Sequence, residues 1–223
     1  MPEQAEPDQA GPGKAEPGKA EPGRAEPGTV RPGGRTARVR AAVLDAAGDV
    51  LAEQGFAHLD LADVARRAEV GKTTVYRRWG SVTGLVADLL ADMAEQSLPR
   101  TETGTLRGDL RANARLVRRT LADPRQGALF RAVIAAAAGD ERTASALRRF
   151  YDVRVDEWAP CVEQAVRRGE LRLGTDPAAV VRAVSAPLYY QLLTAGSAPT
   201  EADADRAADA AVAAAEAGVY TVS

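Results

Sequence analysis

The sequence is poor in the side chains that most often carry chemistry. It holds one histidine, His58, and one cysteine, Cys161, among 223 residues. That inventory argues against a histidine-rich zinc site and a histidine-dependent catalytic triad. A lone thiol cannot close an intrachain disulfide, which points to a reducing compartment. Aromatic residues amount to 4% of the chain; each is expected in the core before it is expected on a pocket wall. No apolar run approaches the roughly 20 residues needed to cross a bilayer, and the N-terminus has no apolar segment of the secretory kind. A soluble cytoplasmic protein without a membrane partner is therefore expected. Strand-like alternation is missing as well, which leaves an all-α fold of about nine helices. Neither sign of charge dominates, since 29 Lys+Arg face 31 Asp+Glu. Any nucleic-acid footprint must then be local.

What is present begins with low complexity. Residues 15–28 read AEPGKAEPGRAEPG, a five-residue repeat with nothing to bury and with proline and glycine in every period. A disordered tail over residues 1–34 is expected. After it come Arg35, Arg38 and Arg40, which suit either a DNA-contacting arm or ordinary solubilising charge. From Thr36 onward the apolar period is helical: Val39, Val43, Leu44, Ala47, Val50 and Leu51 share one stripe, and Gly55 is the expected stop. Asp60 is an N-cap candidate for a short helix burying Leu61, Val64, Ala65 and Ala68, with Asp63 supplying an acidic version of the capping box.

The stretch VGKTTVYRRWGS, residues 70–81, carries the chemistry. Its GKT invites a phosphate-binding loop, but that motif needs a glycine five residues before Gly71 and a strand leading in. Arg66 stands at that position and the lead-in is helical, so the nucleotide-loop reading fails. Two short helices about a glycine-bearing turn have helix-turn-helix spacing instead. Ala65, Val70 and Val75 face inward in that arrangement, leaving Lys72, Thr73, Thr74, Arg77 and Arg78 outward. From Arg66 to Arg78 five cations stand against one anion, Glu69.

Residues 56–90, above all LADVARRAEVGKTTVYRRWGS and the following LVADLL, resemble the DNA-binding domain of the tetracycline-repressor (TetR) family of transcriptional regulators. The resemblance implies a three-helix head over residues 35–81 and a ligand-binding and dimerisation body over 82–223, with a fourth helix connecting them. It implies repression of operator DNA relieved by a small-molecule effector, and no catalysis. By that similarity Lys72, Thr73, Thr74 and Tyr76 lie at the DNA, and Trp79 packs the head onto the fourth helix. Arg38, Arg77 and Arg78 complete the candidate contact set. One position departs: where the family commonly places a lysine at the start of the fourth helix, this chain has Val82, and Arg77 or Arg78 is expected to compensate.

Beyond the head the pattern stays helical, with Pro160 expected to bend a long helix and Pro177 to start another. Residues 186–196, APLYYQLLTAG, resemble a C-terminal segment of a family subgroup, with Gln191 where arginine is common. Phe130, Trp158, Cys161 and Tyr189 are the candidate ligand-binding residues, in a pocket that would be mostly apolar. The last two helices, with Leu188, Leu192 and Val212, are expected to form a two-fold homodimer interface by family analogy. No cofactor and no metal are expected. A helical enzyme, a small-molecule carrier or a protein-interaction module without a DNA-binding role are the alternatives.

Overall fold

Side-chain oxygens set where most of the helices begin. In the computed structural model, which describes residues 34–97 and 100–222, nine α-helices run in the order α1 Arg35–Gln54, α2 Leu61–Arg67, α3 Lys72–Trp79, α4 Val82–Glu95, α5 Leu106–Ala122, α6 Pro124–Ala137, α7 Glu141–Arg167, α8 Pro177–Thr194 and α9 Glu201–Glu216. Asp60, Ser81, Thr105, Asp123, Asp140, Asp176 and Thr200 each accept a first-turn backbone N–H of the helix that follows. Such caps satisfy donors that a helix end leaves open and contribute about 1 kcal/mol each. No strand occurs among the described residues; an isolated bridge, Thr175 to Thr221, ties the C-terminal segment to the loop before α8. The expected tail, except for Gly34, lies outside the described residues.

One local expectation changes. Asp60 caps α2 as its sequence suggests, but the Asp63 carboxylate turns to Arg66 and Arg67 instead of closing the box. The reciprocal box is at Thr200 and Asp203, where each side chain accepts the other's backbone N–H. Helix α7 carries Pro160 within its span, and the missing N–H costs it one backbone bond to the Asp156 carbonyl.

The core follows the helical period. Val43, Leu44, Ala47, Val50 and Leu51 of α1 are buried with Val64 and Ala65 of α2, Val75 of α3 and Leu85 and Val86 of α4. Each large aliphatic side chain so buried contributes roughly 1.5–3 kcal/mol before entropy is counted. Helix α9 buries Ala204, Ala207, Ala208, Ala211, Val212 and Ala215, a stripe small enough for close packing on α5 and α8. Its register on α5 is written in charge. Arg107 and Arg111 reach Asp209 at 2.7 Å, Arg115 reaches Asp205 at 3.0 Å, and Arg118 stands 3.7 Å from Glu201.

Candidate nucleic-acid interface

Helix α3 has eight residues and buries two, Val75 and Trp79, four apart and so on one face. That single stripe turns the rest outward. Lys72, Thr73, Tyr76, Arg77 and Arg78 are exposed and Thr74 is half-buried; Tyr76 keeps 42% of its surface. The Lys72 ammonium lies 5.5 Å from the Tyr76 ring centroid, one turn on, and Arg78 lies 5.2 Å from the Trp79 ring. From α2 onward, α3 is also the helix that starts without a side-chain cap, because its N-cap is Gly71. The positive end of its dipole therefore faces solvent, which suits an anionic oxygen.

Ion pairing sorts the local cations. Arg66 pairs with Asp63, and Arg67 with Asp63 and Glu53. Lys72, Arg77 and Arg78 form no ion pair among the described residues, so the positive field belongs to α3. Arg38 is exposed too, but it sits within α1, which is helical from Arg35. No extended arm occupies Arg35 to Arg40. Arg40 is turned inward and is removed from any DNA surface.

That inward turn builds a network missed in the sequence. Arg40 binds Asp88 of α4, with Nη2 at 2.7 Å and Nε at 3.1 Å, and its Nη1 binds Asp92. The Trp79 indole N–H donates to the same Asp88 carboxylate at 2.8 Å. Burial pushes the Asp88 carboxyl up, but the bonds from Arg40 and Trp79 outweigh it and hold its pKa below the ordinary value. The only advance signal was Asp88 and Asp92 four residues apart on α4. Backbone proximity tightens this joint: a Cβ on Gly84 would lie 2.4 Å from the Trp79 carbonyl oxygen. Trp79 thus fixes α3 against α4. Val82 is half-buried against the apolar core and offers no charge.

Asp92 also lines a cavity of about 600 Å³ enclosed by α1 and α4 to α8. Phe130, Trp158 and Tyr189 line it, as do Asn113, Phe150 and Tyr151, which composition alone did not single out for a pocket. Cys161 does not. It lies three residues beyond Trp158 and is fully buried; burial, and then the charge of Asp109, pushes its thiol up to about 12. The expected dimer residues also need correction. Leu188, Leu192 and Val212 are buried within the protomer, because α8 and α9 turn those positions onto neighbouring helices of the same chain. The outer side of α8 presents Ala186, Pro187, Tyr190 and Leu193.

Comparison with known proteins agrees with this architecture. The family model described as bacterial regulatory proteins, tetR family, matches residues 43–89. A second, described as the tetracyclin repressor-like C-terminal domain, matches residues 100–211. The uncharacterized HTH-type transcriptional regulator YdeS of Bacillus subtilis is 31% identical over 156 residues, covering 70% of this chain and 78% of the relative. The DNA-binding transcriptional repressor TetR of Mycobacteroides abscessus is 32% identical over 158 residues, covering 70% of this chain and 83% of the relative. Among solved structures, the TetR family transcription regulator SCO0332 superposes with a TM-score of 0.64 at 29% identity, over 79% of this chain and 97% of that one. This chain belongs to the tetR family of bacterial regulatory proteins, the helix-turn-helix transcriptional regulators.

Proposed function

We propose that the protein is a repressor whose α3 enters the major groove of operator DNA, with a homodimer placing two such helices about 34 Å apart. Lys72, Thr73 and the uncapped start of α3 meet phosphate in this reading, while Thr74, Tyr76, Arg77 and Arg78 face base edges and backbone. Arg38 extends the contact along α1. The observation that carries the reading is the cationic face of α3, exposed and without ion pairs in a chain of nearly balanced charge. The sign of regulation is supported by the repressor named among its relatives.

A small molecule in the cavity would release the DNA. Asp92 stands on the cavity wall and holds Arg40, Arg40 holds Asp88, and Asp88 holds Trp79 at the end of α3. Occupancy that displaces α4 then acts on the position of the reading helix. Its effect on affinity equals the difference in ligand binding between the two states.

Selection of bound fragments from the source genome supplies the operator, and fluorescence anisotropy then measures binding. Lys72→Ala is expected to weaken binding and to flatten the log–log salt dependence by about one unit, as loss of one phosphate contact requires. Tyr76→Phe should weaken it about fivefold through loss of one hydrogen bond. Wild-type affinity and salt slope in both variants would show that DNA does not bind there.

A further inference from the structure

Four aromatic rings close a circuit on the cavity wall. Phe130 meets Phe150 at 5.5 Å between centroids and Tyr189 at 5.9 Å, while Tyr151 meets Phe150 at 5.4 Å and Tyr189 at 5.3 Å. Three of these contacts are edge-to-face, the arrangement in which ring faces and edges are electrostatically complementary. A flat π-system can join such a set through the same contacts, whereas a saturated ring of equal size gains only contact area.

Polar groups narrow the class further. Asn113 and Trp158 both line the cavity and are buried, yet the Asn113 amide oxygen and the Trp158 indole N–H have no hydrogen-bond partner among the described residues. Buried polar atoms are nearly always paired, so one unpaired acceptor and one unpaired donor in the same wall point to a partner from outside the chain. The charged groups of the wall are mostly committed elsewhere. Asp92 holds Arg40, Arg154 pairs with Glu157, Arg125 pairs with Asp49, and Asp123 caps α6. Arg119 is exposed. Burial pushes the Tyr151 phenol up to about 12 and the Tyr189 phenol well above its ordinary value, so both rings stay neutral.

We infer that the cavity binds an uncharged, flat aromatic molecule of two or three rings bearing a hydroxyl, whose oxygen accepts from the Trp158 N–H and whose hydrogen serves the Asn113 amide oxygen. A volume of about 600 Å³ admits a molecule of that size. The inference rests on the ligand-responsive reading above, and it names the chemistry that the site selects.

Three probes of one skeleton test it with the full chain at pH 7: 2-naphthol, naphthalene and decahydro-2-naphthol, each titrated calorimetrically. 2-Naphthol is expected to bind at least tenfold more tightly than decahydro-2-naphthol, which has the hydroxyl without the flat ring. It should bind about thirtyfold more tightly than naphthalene, the margin of two neutral hydrogen bonds. Trp158→Phe keeps an aromatic ring without the donor and should cut that margin to about fivefold while changing naphthalene binding far less. Asn113→Leu should reduce the margin by itself, and retained operator binding by either variant shows that it folds. Equal binding of 2-naphthol and decahydro-2-naphthol, no heat from 2-naphthol up to its solubility, or an intact margin in both variants overturns the inference. Operator release is read in parallel. Selective binding without release sinks the regulatory reading alone, and release by all three probes equally sinks the aromatic assignment alone.

Discussion

Among the described residues, Glu69 is the non-glycine residue with a left-handed backbone. It adopts φ 55 between α2 and α3, in the left-handed region where a side chain costs roughly 1–2 kcal/mol and glycine costs least. The sequence places its glycine two positions later, and Gly71 has an ordinary φ of −57. Gly71 instead leaves the start of α3 without a side chain, while Glu69 takes the strained bend. Glu69→Gly is therefore expected to raise stability by about 0.5–1 kcal/mol, allowing for the added freedom of the unfolded chain. It should also tighten operator binding by removing an anion beside the contact face. Urea denaturation and anisotropy on the same sample check both, and a loss of stability would mean that the bend is not strained. Residue identity in the head was legible because each role there is local: the stripe of Val75 and Trp79, the cap at Asp60 and the outward cations are all set within one turn. Arg40 was not, since its partners lie 48 and 52 residues away and a run of arginines looks the same whether free or paired.

At the scale of elements, the joint between α3 and α4 depends on backbone approach as much as on side chains. Gly84 lies in the first turn of α4, and a Cβ there would meet the Trp79 carbonyl oxygen at 2.4 Å, far inside van der Waals contact. Gly84→Ala is expected to force the two helices apart, to lower stability by about 1–3 kcal/mol as overpacking does, and to lengthen the Trp79 to Asp88 bond. Thermal unfolding together with the emission maximum of a Trp158→Phe background, in which Trp79 is the remaining tryptophan, reports both effects. An unshifted melting temperature would refute the contact. Helix existence was readable throughout, because caps and apolar period agree along the chain. Helix partnership was not. The alanines at 135–138 are exposed or half-buried, while the alanines of α9 line the tight interface. Small residues permit an approach without specifying which neighbour makes it, and the arginine ladder that fixes α5 on α9 joins positions about a hundred apart in sequence.

For the molecule as a whole, α8 leaves an apolar surface open on its outer side. Tyr190 keeps 70% of its surface and Leu193 48%, on the side of α8 opposite the buried Leu188 and Leu192. Together with Ala186 and Pro187 they make an apolar strip suited to a two-fold partner. Tyr190→Arg should convert a dimer to a monomer in light scattering and, because two half-sites are then read separately, weaken operator binding by at least tenfold. A mass already monomeric in the wild type would rule out this assembly. The sequence pattern named Leu188 and Leu192 for the open face of α8, but they are buried within the protomer, since adjacent helical residues point about 100° apart and only packing decides which side is inward. Cys161 has a practical corollary. Because the chain's single thiol is sealed in the core and held protonated, the folded protein is blank to maleimides, and one cysteine engineered on α3 would accept a spin label at that site alone. Pulsed electron resonance could then measure how far apart the two labels stand, with and without effector, and no native residue would have to be replaced first.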